Sequence, residues 1–298
     1  MPGISPKTRN VRKRSSVQPH DPQTEVALKE LQTLPGIGPV RARALIKAGV
    51  RTLNDLKSEA VFSELPNATK VALNFKLSPM YKWDARVALS SYSSALPPKY
   101  TLELAGEIRR GQDSSILSPF LIFHPDAPVP SPPTNHLGLR PKPQRRASKT
   151  GNLTNDLLDT ALRHLKGHQH LSETIRQSNT HWEGVALSPG ERLAPRYWHV
   201  SLRLYNPASY PTAMIYHTGD DKFLNHLAAH AQRNRMYLDE WGLWAIRKGD
   251  MASPGSTEFL EMVSVKTEEE LMVKLGLEAY VPPEKRNFGN ILMKRGKK

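Results

Sequence analysis

Residues 31–45 place Leu31, Leu34, Pro35, Gly36, Ile37, Gly38, Pro39, Ala42 and Leu45 in the order of a tight turn between two helices. Gly36 and Gly38 allow the turn to close sharply and leave backbone N–H groups uncovered at the start of the second helix. Ala42 is small where the helices must cross, and Leu34, Ile37 and Leu45 are spaced to bury between them. This is the helix-hairpin-helix pattern, and it fixes both local fold and polarity. N–H groups at a helix start suit a phosphate, so the turn is suited to reading a nucleic-acid backbone without reading bases. The expected DNA-backbone set is Gly36, Ile37, Gly38, Arg41 and Arg43.

Charge points the same way. The 298-residue chain carries a formal net charge of +14, and its basic residues are clustered. Lys7, Arg9, Arg12, Lys13 and Arg14 crowd the first segment. Arg140, Lys142, Arg145, Arg146 and Lys149 share a proline-rich stretch, and Lys294, Arg295, Lys297 and Lys298 close the chain. Such clusters favour polyanions, because each neutralised phosphate releases condensed counterions. Cysteine is absent, which excludes a disulfide framework, a thiolate zinc site and a cysteine nucleophile. No long apolar run suggests a membrane span, and no membrane partner is expected. The first basic cluster suits nuclear import. A mitochondrial presequence is the alternative, although a clear apolar face is missing.

Residues 1–22 read as a disordered basic tail and 23–98 as a helical segment, with apolar positions at Val26, Leu28, Leu31 and Leu34. Residues 99–216 change to strand character, as in Phe120-Leu121-Ile122-Phe123. Within them, residues 125–151 read as a Pro-rich basic insert with no packed element. A helix is expected from Thr154 to about Lys166, and strands at Trp182–Leu187, Tyr197–Tyr205 and Ala213–Tyr216. The second of these strands alternates Trp198, Val200, Leu202 and Leu204 with His199, Ser201 and Arg203. A helix follows at Phe223–Arg233 in a smaller unit, 217–290, before a basic tail at 291–298. The fold class is α+β.

The continuation Ala48-Gly49-Val50-Arg51-Thr52-Leu53-Asn54-Asp55-Leu56 resembles the fingers segment of family X DNA polymerases. Later blocks keep that family's order. Ala105-Gly106-Glu107-Ile108-Arg109-Arg110-Gly111 is similar to its phosphate-binding strap. Ser114-Ser115 and Phe120 to Pro125 follow, then Trp182 to Leu187 and Val200 to Leu204. Tyr216-His217-Thr218-Gly219-Asp220 looks like its Tyr-Phe-x-Gly-Ser turn, and Leu275 to Pro283 resembles its C-terminal stretch. The resemblance implies helix-hairpin-helix fingers, a palm with a mixed sheet, and a small thumb-like α+β subdomain that faces a nucleotide. It also implies a phosphate site at Gly106, Arg109, Arg110 and Gly111. What precedes the hairpin is shorter than the family's N-terminal lyase domain.

Family members hold two Mg²⁺ ions with three aspartates, two of them in an Asp-x-Asp pair. Aligned on the flanking blocks, those positions carry Leu117, Pro119 and Ser201. Hydrocarbon side chains cannot ligate a hard cation, and a neutral hydroxyl is a poor substitute for a carboxylate. Pro119 also lacks a ladder donor, which suggests an altered or edge strand. Glu107 stands where the family has serine and puts a negative charge near the phosphate position. The resulting expectation is a DNA-binding pseudo-polymerase with no catalytic residue, metal or cofactor. It would act on gapped or duplex DNA in repair of gaps or ends, with protein partners besides.

Two alternatives stay open. One is an active polymerase whose metal site has moved, with Glu103, Glu107, Asp113 and Asp126 as the nearby acids and Mg²⁺ as its cofactor. The other is a structural part of a ribonucleoprotein or repair complex. His164, His168 and His170 read as a solvated helix end. Trp241 and Trp244 read as core or subdomain contacts, with base stacking as the alternative.

Overall fold

The computed structural model describes residues 22–133, 153–189, 195–246, 259–277 and 279–287. The two basic tails and the basic cluster of the insert lie outside these ranges. The chain divides at Thr69/Lys70 into two units.

The first unit holds α1 (Pro22–Gln32), α2 (Pro39–Lys47), the short α3 (Glu59–Ser63) and the start of α4 (Asn67–Phe75). Ala27, Leu31, Leu34, Ile37, Ala42, Ile46, Val50, Leu56 and Leu65 form its apolar interior. Val26, expected on the apolar face of α1, is instead exposed, and Ala27 takes the inward position. Asp55 closes the loop before α3 by accepting from the backbone N–H groups of Arg51 and Thr52.

The second unit is built on a five-stranded mixed sheet. Its strands are β2 (Thr101–Leu104), β4 (Leu117–Phe123), β5 (Leu171–Gln177), β6 (His181–Leu187) and β7 (Tyr197–Tyr205), in the order β2-β4-β7-β6-β5. Only β4 and β7 run parallel. A two-stranded ribbon pairs β1 (Met80–Tyr81) with β3 (Ser114–Ser115). Helices α5 (Lys82–Ala95) and α7 (Leu153–Gly167) share one apolar cluster with the sheet, in which Tyr92, Phe120, Trp182 and Trp198 are fully buried. Residues 70–98, grouped with the fingers on sequence, fall in the second unit, where Ala85, Ala88 and Tyr92 of α5 share the apolar cluster of the sheet.

The short helix α6 (Gly106–Arg109) leads from β2 towards β3. After β7 come α8 (Tyr210–Thr218) and α9 (Asp221–Arg233), a three-stranded sheet of β8 (Met236–Leu238), β9 (Leu243–Ile246) and β10 (Phe259–Met262), and α10 (Glu268–Lys274). Ile215, Phe223, Leu227, Leu243, Leu271 and Leu275 make the core of this subdomain. Asp220 caps α9 by accepting from the N–H of Phe223.

Three further expectations need correction. Ala213–Tyr216 is helical, within α8, although its apolar run has strand character. Pro211 at the start of the helix and burial on most sides of it favour helix over strand. Pro119 lies in an interior strand, not at an edge. Its carbonyl accepts from Ala105, so its nitrogen faces the same side, where β2 has already ended at the Leu104–Phe120 pair. The proline thus removes a donor where no strand partner remains. The start of the insert is also packed: Ala127 is buried, and its carbonyl accepts from Asn206.

Candidate nucleic-acid interface and palm face

At the hairpin, Gly36 adopts a left-handed backbone with φ of 86°. A Cβ there would come within 3.1 Å of Thr69 Oγ1 and 3.2 Å of Pro66. Thr69 donates its hydroxyl to the carbonyl of Pro35, fixing the turn from behind. Gly38 differs: it has ordinary φ, and a Cβ added to it would meet nothing within 4 Å. It is the N-cap of α2 and supplies no side-chain cap. The first N–H groups of α2 are therefore uncovered by any capping side chain. Ile37 and Ala42 are buried, so Ile37 can offer only its backbone. Arg41 and Arg43 are exposed and have no acidic partner among the described residues.

On the palm, the sheet register gathers the three positions aligned with the family's aspartates. Pro119 of β4 lies directly opposite Ser201 of β7, with Leu117 two residues before it on the same face. Glu183 of β6 is the next neighbour of Ser201 across the sheet, so one rung reads Pro119–Ser201–Glu183. Leu117 and His199 belong to the rung before it, and Arg203 with His181 to the rung after. The positions meet as a metal cradle would require, but their donor set does not suit Mg²⁺. Leu117 and Pro119 offer carbon and Ser201 a hydroxyl.

One carboxylate does stand on this face, and no motif in the sequence announces it. Glu183 is buried, and His199 Nε2 lies 2.9 Å from its Oε1. Arg176 Nε donates to its Oε2 at 2.6 Å. Burial would raise its pKa, but His199 and Arg176 outweigh that and hold it below the usual carboxylate value. His181, nearby on the same strand, is pushed down to about 4 by burial and by the charge of Arg203. Glu183 is thus satisfied by protein donors. Among the described residues no group of three or more His, Cys, Asp or Glu side chains is arranged to hold a metal. The residues present do not fit the family's metal pair. Glu103, Glu107, Asp113 and Asp126 do not gather into such a group either.

The strap is engaged from within. Gly106 has a left-handed φ of 76°, and a Cβ there would strike the ring of Pro119 at 2.7 Å. The proline ring therefore occupies the space directly against the strap. Arg109 donates to both oxygens of Glu268, at 3.0 and 2.8 Å, and to Thr218 Oγ1 at 3.0 Å. Arg286, fully buried, donates to Glu268 from the other side at 2.7 Å. Burial opposes the charge on Glu268, yet the two arginines lower its pKa. Arg110 donates to the carbonyl of Thr218, and Glu107 sits 3.8 Å away from it. Glu107 also accepts from Ser115. Of the two strap cations, Arg109 is tied into α10 through Glu268, and Arg110 is held by the Thr218 carbonyl beside Glu107. Gly111, with φ of 92°, turns the chain out of the strap.

A second buried carboxylate is equally silent in the sequence. Glu240 accepts from Tyr205 at 2.7 Å and from Arg203 at 3.3 Å, and lies 3.1 Å from His217 Nε2. Burial would raise its pKa, but His217, Tyr205 and Arg203 pull it down to about 2. Its partners come from β7 and α8, and only the fold brings them together. Trp244 is buried with its Nε1 on Asp239, and Trp241 packs on Tyr205 at 4.8 Å.

Two family profiles match this chain. The DNA polymerase beta thumb covers residues 213–287, and a SAM-like helix-hairpin-helix tandem covers residues 28–66. With the mixed palm-like sheet between them, they support the class of a family X DNA polymerase-like protein. Among curated relatives, DNA polymerase lambda of Arabidopsis thaliana is 23% identical over 259 residues. The match takes in 85% of this chain and 45% of that relative, so the chain spans less than half the length of the curated protein it matches.

Proposed function

We propose that this chain binds DNA on a polymerase X-like scaffold and does not carry out nucleotidyl transfer. The observation that carries the reading is the rung Pro119–Ser201–Glu183. Two of the aligned aspartate positions are hydrocarbon, the third is a hydroxyl, and the one carboxylate beside them is held by His199 and Arg176. That set is unsuited to a Mg²⁺ pair, because hard cations need several oxygen ligands. The pairing of Arg109 with Glu268 and the half-exposed Glu107 further reduce what the strap offers to a triphosphate.

DNA contact is assigned to the hairpin: the N–H groups after Gly38, with Arg41 and Arg43. This reading is supported by the helix-hairpin-helix match and by the +14 charge. Gapped or end-bearing DNA is the proposed target, with a role in repair. Nuclear residence is proposed on the basic cluster from Lys7 to Arg14, and a fluorescent protein carrying residues 1–22 should then concentrate in the nucleus. If it collects in mitochondria, that assignment is wrong.

The decisive experiment is single-nucleotide incorporation into gapped DNA with Mg²⁺ and then Mn²⁺, using protein already seen to bind that DNA. Binding without incorporation is expected. Incorporation abolished by chelation would overturn the reading and place working carboxylates elsewhere.

A further inference from the structure

The outer face of α5 and the residue just before it present large aromatic rings to solvent. Trp83 is 72% exposed and Tyr81 is 54% exposed. Lys82 stands between them in the chain and Arg86 lies one helical turn beyond Trp83; both are exposed. Neither cation has an acidic partner among the described residues. The one acid of α5, Asp84, is turned inwards and bound bidentately by Arg196, with both contacts at 2.9 Å. The exposed face therefore combines two aromatic rings with two positive charges. Asp113 adjoins this edge, its backbone carbonyl accepting from the N–H of Lys82.

Exposing a tryptophan to this extent is costly, since large apolar rings contribute most to stability when buried. The other four tryptophans obey that rule: Trp182, Trp198 and Trp244 are buried, and Trp241 packs on Tyr205. The ribbon extends the same edge. Tyr81 pairs with Ser114, and Ile116 and Leu117, both exposed, follow directly in the chain. The edge thus runs from α5 to the strand end where Leu117 stands.

We propose that Tyr81 and Trp83 form a stacking platform for unpaired bases of a nucleic-acid strand, with Lys82 and Arg86 holding its phosphates. An aromatic face accepts any base, and interleaved cations track the backbone, which is the usual chemistry of sequence-tolerant single-strand binding. A protein partner would also bury the rings, but it gives no account of two cations placed beside them without acidic partners. The proposal rests on the reading that this chain binds nucleic acid, and it adds the strand type and the second contact surface.

The test compares the wild-type chain with Trp83→Ala, Trp83→Phe and Lys82→Ala/Arg86→Ala on oligo-dT, on DNA with a short gap, and on blunt duplex, by fluorescence anisotropy. Trp83→Ala is expected to weaken binding of oligo-dT and gapped DNA about tenfold and to leave blunt duplex within about twofold. Trp83→Phe should recover most of the loss, and the double variant should lower the salt dependence on oligo-dT. Oligo-dT should also quench the emission of wild-type protein, and much less that of Trp83→Phe, because Trp83 is the strongly exposed indole. Equal losses on blunt and unpaired DNA, or no loss on either, would overturn the platform while leaving hairpin binding intact. Wild-type protein that binds none of the three probes would overturn both readings.

Discussion

At the scale of single residues, the palm face is organised by internal ionic pairing. Glu240 shows this most clearly, because its folded pKa of about 2 lies well below the ordinary 4.5. Below pH 4.5 the unfolded chain takes up a proton that the folded chain refuses, so stability falls as pH drops from about 4.5 towards 2. Glu240→Gln should cost about 2–3 kcal/mol at pH 7, since it removes the negative charge held by Tyr205, His217 and Arg203. The gap from wild type should narrow progressively below pH 4.5. Urea melts at about pH 7 and about pH 3.5 check both statements, and a gap that stays constant with pH would show that the carboxylate is not the group responsible. Glu183 contributes with the same sign, as its pKa is also lowered in the folded state.

At the scale of elements, the two glycines of the hairpin have separate duties. Gly36 is required by conformation: its φ of 86° strains any other residue, and Thr69 and Pro66 lie close enough that they would have to give way to a Cβ. Gly36→Ala should destabilise the first unit by about 1–2 kcal/mol, read by thermal or chemical denaturation. Gly38 carries no such constraint, since its φ is ordinary and a Cβ there would meet nothing within 4 Å. An aspartate there makes a good N-cap for α2, so Gly38→Asp should leave stability unchanged or slightly raised. The same carboxylate would sit at the proposed phosphate position, and affinity for DNA should fall several-fold across sequences. An unmoved binding isotherm for Gly38→Asp would remove the hairpin from the interface.

These elements also show what can and cannot be read in advance. The hairpin is legible from its glycines and the spacing around them, and β7 from its alternating apolar residues. Helix α8 reads as a strand, since a segment buried on nearly all sides has no periodicity to report. Strand β5 is silent because Leu171-Ser172-Glu173-Thr174 carries little apolar signal and relies on its pairing with β6.

At the scale of the whole molecule, charge sets the terms of association. A chain of net charge +14, with the phosphate contact proposed at the hairpin, should bind DNA with strong salt dependence. Between about 50 and 200 mM salt the affinity should fall by about 10- to 100-fold, as expected when about two to four phosphates are neutralised. A flat salt profile would argue against backbone contact as the source of affinity. The strap shows a different kind of long-range effect: Arg109 follows the first strand of the palm, but Glu268 and Arg286 come from far along the sequence.

The sequence by itself determined the hairpin, the order of the family-like blocks, and the absence of carboxylates at Leu117, Pro119 and Ser201. Those are statements about residue type and spacing, which short-range sterics and coordination chemistry translate directly. Only the tertiary structure decided that these three positions meet on one sheet face, that Glu183 beside them is held by His199 and Arg176, and that Trp83 stays in solvent. Pairing across strands depends on register, and exposure depends on what the rest of the chain fails to cover. Neither is encoded in the local pattern.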